Sequence, residues 1–153
     1  MTIDFNTDKS NDNPYRTFNY SVEVDGTKIG GFTQISGLNM QAEVMEYREG
    51  GVHDSTHTFP TSVSHSNVQL HRVVTDHDDF ITWISESMTT SKREAQKDVV
   101  ISLNDVTGKT AWGWKLLRSY PVKWSGPELS AQSTGQFAME LVELSCEELQ
   151  LIK

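Results

Sequence analysis

Apolar and polar residues alternate with a period of two along most of this chain, and only one segment departs from that rhythm to a helical one. Such a chain can bury one face of many short strands and has little else to build with. From Phe18 the run sets Phe18, Tyr20, Val22 and Val24 on one face and Asn19, Ser21 and Glu23 on the other. Asp25-Gly26 supplies a turn, and a return strand is expected over Thr27 to Gln34. Ser36-Gly37 breaks the pattern before a third strand, Gln41 to Arg48, in which Ala42 and Val44 oppose Glu43, Met45 and Tyr47. Later strands are expected at Asn67 to Val74, around Val99, Ile101 and Leu103, around Trp112, Trp114 and Leu116, and around Val122 and Trp124. Asn104 to Thr110 reads as a turn, and a final strand runs from Thr134 to Leu144 with Phe137, Met139 and Leu141 on one face.

The helical segment is Asp76 to Met88, where Phe80, Ile81, Trp83, Ile84 and Met88 recur at intervals of three and four behind an acidic start. Val52 to Ser66 holds three His, several Ser and Thr, and Pro60, with no apolar period, and reads as a long two-stranded flap with little core of its own. Seven or eight strands with one helix predict a mainly β (α+β) fold, an antiparallel β-barrel or sandwich with one flanking α-helix. A length of 153 residues suits one domain. Residues 1–13 are rich in Asn, Asp, Ser and Thr and form an expected flexible arm, because they bury too little to offset the entropy of ordering. The domain proper then spans 14–153.

A formal charge of -8 disfavours sequence-specific nucleic-acid binding, which depends on clustered Lys and Arg. No stretch approaches the ~20 apolar residues of a membrane-spanning helix, so no membrane anchor is expected. The polar N-terminal stretch lacks the basic start and apolar run of a secretion signal, which points to synthesis in the cytoplasm. The single cysteine, Cys146, cannot form an internal disulfide.

Short motifs that suggest chemistry each have a plainer explanation. His53 and His57 have the spacing of a zinc-protease signature, but that chemistry needs both imidazoles on one helix face and a Glu base, and Asp54 stands in the Glu position. Gly108-Lys109-Thr110 echoes the end of a phosphate-binding loop, yet Leu103 occupies the position of its first glycine. Asp76-His77-Asp78-Asp79 suits a helix N-terminus better than a cation site. Asn19-Tyr20-Ser21 fits a glycosylation acceptor but lies in an expected strand. Cys146 as a nucleophile would need a base brought close by the fold, and its position after an apolar strand favours a buried thiol. Trp112 and Trp114 are expected in the packed interior. No catalytic, cofactor-binding or metal site is assigned.

The ordered blocks Asn13-Pro14-Tyr15-Arg16-Thr17-Phe18, Val22 to Gly26, Gly31 to Leu38, Glu46-Tyr47-Arg48-Glu49-Gly50-Gly51, Pro121 to Leu129 and Phe137 to Leu144 resemble the tail tube proteins. These form the inner tube in contractile phage tails, tailocins and extracellular contractile injection systems. The resemblance covers nearly the whole chain. The chain departs from the pattern at Phe59-Pro60-Thr61, at Asn67 to Arg72 and at Cys146-Glu147.

The resemblance implies a structural, non-enzymatic subunit that forms hexameric rings, with rings stacking into a hollow tube that a contractile sheath drives through a target envelope. Its implied partners are further copies of itself, the sheath protein, baseplate and tube-initiator proteins, and a protein effector or DNA passing through the lumen. No cofactor is implied. A related use, as a secreted ring protein and effector carrier of a type VI system, follows from the same likeness. Ring neighbours would extend each other's sheets edge to edge. The flap from Tyr47 to Ser66 is the expected ring-to-ring contact, with Tyr47, Arg48, Glu49, Gly50, Gly51, His53, His57 and Phe59 as its interface residues. Six copies at -8 carry a formal -48 per ring, and an acidic lumen would repel DNA and let it slide.

Overall fold

The computed structural model describes residues 19–48, 50–51, 56–76, 79–90, 95–132 and 134–152. Among them ten strands and one helix follow in the order β1 (Tyr20–Val24), β2 (Thr27–Ile29), β3 (Phe32–Ser36), β4 (Met40–Arg48), β5 (Thr56–His65), β6 (Val68–Val73), α1 (Asp79–Thr89), β7 (Lys97–Asn104), β8 (Thr110–Ser125), β9 (Met139–Ser145) and β10 (Glu148–Ile152). The expected arm at 1–13 and the boundary at Pro14 lie outside the described residues.

Eight strands form one antiparallel sheet in which β2-β1-β7-β8-β9-β6-β3 lie side by side and β10 pairs with β8. The sheet folds over on itself because β8, sixteen residues long, belongs to two layers. Its first part runs between β7 and β10, and from Tyr120 to Ser125 it pairs with β9. The bend falls at Arg118, whose φ of 49° costs a non-glycine residue about 1–2 kcal/mol. Two contacts hold it there: Arg118 N donates to Asp98 Oδ1 at 3.0 Å, and the Arg118 side chain pairs with Glu147. Across the bend the inward phase slips, so that Leu116 is buried on one side of it and Ser119 and Pro121 on the other. That slip is why the sequence reads as two strands where there is one.

The interior is built from the alternating apolar face of each strand: Val22 and Val24, Val68 and Leu70, Val99 and Ile101, Leu116, Val142 and Leu144 are all nearly inaccessible. α1 adds Phe80, Trp83 and Ile84 to this core. Phe80 meets Phe32 edge-on with ring centroids 5.5 Å apart, and Trp83 Nε1 donates to Ala95 O at 2.6 Å. The helix starts at Asp79 where a start at Asp76 was expected; His77 and Asp78 lie outside the described residues.

Four further expectations are corrected. The return strand after Asp25-Gly26 does not continue to Gln34: it stops at Ile29, and after Gly30-Gly31 the chain enters β3, which pairs with β6 in the other layer. Trp112 is 37% exposed and not interior, while Trp114 is half-buried. The final strand begins at Met139 and leaves Phe137 79% exposed. A further strand, β10, follows Cys146 and Glu147 and buries Leu149 against β8.

Candidate assembly interface

Among the described residues β4 and β5 pair only with each other, in a two-stranded sheet separate from the barrel. The third strand, expected in the body, is therefore one half of the flap, and the flap starts at Met40 and not near Tyr47. Every residue of β4 is exposed, as is every residue of β5 except half-buried His65. An isolated two-stranded ribbon is marginal in water, and this element finds no covering surface among the described residues.

The register shows what it would offer. Met45 stands opposite Phe59 and Tyr47 opposite His57, which puts these four side chains on one face toward the tip. Nearer the root the same face is polar, with Gln41, Glu43, Ser62 and Ser64. The other face is reversed: Met40, Ala42, Val44, Pro60 and Val63 lie toward the root, and Glu46, Arg48, Thr56 and Thr58 toward the tip. Val63 is 68% exposed, Val44 60% and Met45 54%, far more than an unpartnered apolar group favours. The ribbon thus carries two apolar patches, staggered along its length and facing opposite ways. Sequence reasoning named Tyr47, Arg48, His57 and Phe59 but missed Met40, Val44, Met45 and Val63. The signal was present in Val44-Met45, two adjacent apolar residues where alternation allows one; the bulge at Thr61, which keeps β5 in step, shows only in the pairing. Gly50 and Gly51 lie in the turn beyond β4; Glu49 and His53 fall outside the described residues.

The flap is held at its root. Ser66 N donates to Asn39 O at 3.4 Å, Ser66 Oγ donates to Gly37 O at 3.0 Å, and the His65 ring lies between Cys146 Sγ, 3.8 Å from Nδ1, and Glu147 O, 3.5 Å from Nε2. Cys146 is buried, and burial pushes its thiol above the usual pKa, which opposes the thiolate a nucleophile needs.

The remaining motifs take structural positions. His57 sits on a strand, not a helix, and faces Tyr47. No group of three or more His, Cys, Asp or Glu among the described residues is placed to hold a metal ion. Gly108-Lys109-Thr110 closes the β7–β8 hairpin, where Asp105 Oδ1 accepts from Thr107 N, Thr107 Oγ1 and Lys109 N. Asn19 Nδ2 donates to Asp105 O at 2.6 Å, tying the acceptor amide of the glycosylation-like triplet into the same corner. Among the described residues β2, β3 and β10 each pair on one side only and leave a free edge.

Residues 16–150 match the sequence model of the family described as T4-like virus tail tube protein gp19. No curated protein sequence matches the chain. Among solved structures, a chain of the PVC sheath-tube complex of an extracellular contractile injection system, in its extended state, aligns with a TM-score of 0.78 at 22% identity, covering 92% of this chain and 93% of that one. A chain of the anti-feeding prophage baseplate aligns with a TM-score of 0.67 at 21% identity over 87% of this chain and 90% of that one. Hcp1 from Flavobacterium johnsoniae aligns with a TM-score of 0.55 at 15% identity over 88% and 94%. At these identities the structural matches speak to the fold.

Proposed function

From the premise that this chain belongs to the T4-like virus tail tube family, and so is a structural subunit of the inner tube of a contractile injection apparatus, we propose how it assembles and with what. Six copies close into a ring, the free edges of β2, β3 and β10 extend the sheet from neighbour to neighbour, and rings stack into a hollow tube. The observation that carries this reading is the β4–β5 ribbon, exposed on both faces and apolar on each. A monomer gains nothing from such an element, whereas a stack of rings covers both patches.

Tyr47, Arg48, Glu49, Gly50, Gly51, His53, His57 and Phe59 are proposed as contact residues, joined by Met40, Val44, Met45 and Val63. Outside the tube the partners are the sheath protein, and at its end the baseplate and initiator proteins. The PVC match comes from a sheath-tube complex and the anti-feeding prophage match from a baseplate, which supports this set. The subunit is made in the cytoplasm, performs no catalysis, and passes a protein effector or DNA through an acidic channel. Negative-stain microscopy of the purified chain, alone and with its sheath and baseplate partners, tests the proposal. Rings or tubes of constant width are expected; a monomer at every concentration and with every partner overturns it.

A further inference from the structure

The ribbon leaves the barrel as a continuation of the β3–β6 pair. Ser36 and Gln69 are the last register partners on the barrel side, Met40 and His65 the first on the ribbon side, and residues 37–39 and 66–67 cross between them. The bonds at the crossing stay within these two chains: Asn39 N donates to Gly37 O at 2.8 Å, Ser66 N to Asn39 O at 3.4 Å and Ser66 Oγ to Gly37 O at 3.0 Å. Asn67 Nδ2 donates to Glu143 Oε1 on β9 at 2.8 Å, which fixes the barrel side of the crossing. Two chains crossing side by side act like the two pins of a hinge: they hold the ribbon on and leave it one axis to swing about. β4 is nine residues long, about 30 Å, so a swing of about 20° at the crossing carries the tip about 10 Å.

A contact off that axis removes the freedom. His65 is the one residue of β4 and β5 that is half-buried, and its ring reaches the corner between β9 and β10. Nε2 lies 3.5 Å from Glu147 O, and Nδ1 lies 3.8 Å from Cys146 Sγ. A carbonyl can only accept, so Nε2 carries the hydrogen and Nδ1 is left to accept from the thiol. One neutral imidazole meets both partners. The corner is itself braced: Glu147 N donates to Leu117 O at 3.0 Å, and the Glu147 carboxylate pairs with Arg118 at the β8 bend and accepts from Gln96 Nε2 at 3.2 Å.

We propose that His65 is a positioning residue: by tying the ribbon to the β9–β10 corner it sets the angle at which the ribbon leaves the barrel in each separate copy. Both contacts are long, and neither needs to be strong, because the tie decides only among ribbon angles and not whether the ribbon's own pairing forms. The angle is built into the chain before any neighbour arrives, so the proposal goes beyond the reading as a tube subunit and holds or fails independently of it. Cys146-Glu147 is also one of the places where the chain departs from the tail tube pattern, so the tie rests on residues particular to this chain.

Pulsed electron spin resonance on the full chain tests this. Nitroxides coupled to ketone-bearing side chains at positions 58 and 106, exposed sites on the ribbon and on the β7–β8 hairpin, leave Cys146 unmodified. The unassembled fraction is measured, or, should the labelled chain assemble throughout, the same labels in the Tyr47→Asp, Phe59→Asp background. With His65 in place one narrow distance is expected. His65→Ala loses it to a spread of about 10 Å, and His65→Gln, whose carboxamide offers both a donor and an acceptor, restores it. An Ala variant as narrow as the native chain overturns the proposal, and a Gln variant as broad as Ala overturns its assignment to the two ring nitrogens. Hydrogen exchange separates pivoting from melting: amide protection within β4 and β5 is expected to survive in His65→Ala, and its loss would mean that His65 holds the ribbon's pairing and would overturn the positioning role. Tube formation by the native chain decides the subunit reading separately.

Discussion

Arg72 and Glu140 are register partners across the β6–β9 pair, both only 2% exposed, with Nη1 and Oε1 3.8 Å apart. The guanidinium also donates from Nε to Gly30 O at 3.1 Å and from Nη2 to Thr75 Oγ1 at 3.0 Å, and lies 5.1 Å from the Phe80 ring centroid. Glu140 Oε2 accepts from Trp124 Nε1 at 2.9 Å, while Oε1 has no hydrogen bond. One cation therefore ties the β2–β3 corner, β6, β9 and α1 together.

Arg72→Ala is expected to cost about 3–5 kcal/mol in urea unfolding, because it strands a buried carboxylate. Replacing both partners, Arg72→Met with Glu140→Leu, should cost less than the sum of the single changes. Additive losses would show that the two groups do not act as a pair.

Gly37 has a φ of +85°, and a Cβ built there would lie 2.2 Å from Asn67 O, a backbone atom that cannot swing aside. Gly37→Ala is expected to destabilise by about 2 kcal/mol or more. Gly50→Ala, with nothing near its Cβ, should stay within about 0.5 kcal/mol. Thermal melts of the two variants side by side check this, and equal melting points would contradict it.

The strands that could be read from the sequence were those with one buried face. Val22 and Val24 alternate with polar neighbours, and Val99 and Ile101 fall on one buried face, because a core fixes their register. In β9 the adjacent Leu141 and Val142 blurred the period: the face grouped as Phe137, Met139 and Leu141 is the less buried one, and Glu140, Val142 and Leu144 point inward. β5 was legible only as part of a flap without defined strand bounds, and its pairing with β4 was not, since Thr, His, Ser and Pro leave no period to detect and nothing among the described residues buries either face. β8 was split because Arg118 resets the phase, and the resemblance could not repair this, since a bend needs long-range partners such as Asp98 and Glu147. Of the proposed contact surface, Tyr47, His57 and Phe59 were named from the sequence, whereas their gathering with Met45 on one face depends on the register of β4 with β5 and exists only once the two strands pair.

Burial raises the Cys146 thiol above its usual range. The folded chain therefore holds this proton more tightly than the unfolded one, which ionises first as pH rises. The thiol's contribution to stability is complete below the ordinary cysteine range near ~8.5 and is lost as pH climbs toward the folded value. Unfolding experiments from pH 7 to 10 should show that loss in the native chain and less of it in Cys146→Ala. A thiol-reactive dye at pH 8 should label the folded protein at least ~10-fold more slowly than the protein in urea.

Asp105 shifts the other way. Its carboxylate accepts from Thr107 Oγ1 at 2.6 Å, which is the largest cause of a lowered pKa, with Thr107 N and Lys109 N adding to it. The charged form is favoured by folding, so its contribution is present above the ordinary Asp range near ~3.9 and is lost as pH falls through the folded value. Asp105→Ala should flatten that part of the acid limb of stability, and an unchanged acid limb would remove the hairpin from the account.

Stability and assembly are expected to separate on the ribbon. Tyr47 and Phe59 are 55% and 46% exposed and belong to a sheet that pairs with no other strand among the described residues. Tyr47→Asp with Phe59→Asp should leave the unfolding free energy within about 1 kcal/mol, as surface changes do. The same pair puts two charges into a patch that a neighbour must desolvate, at a cost of several kcal/mol per copy, repeated at every contact along the tube. The measurement is a melt beside an electron micrograph: a native melting point with no tubes is expected. Tubes that form normally from the double Asp variant would mean the tip face stays in water in the assembled particle, and the contact between copies would have to be sought on the opposite face around Val44 and Val63.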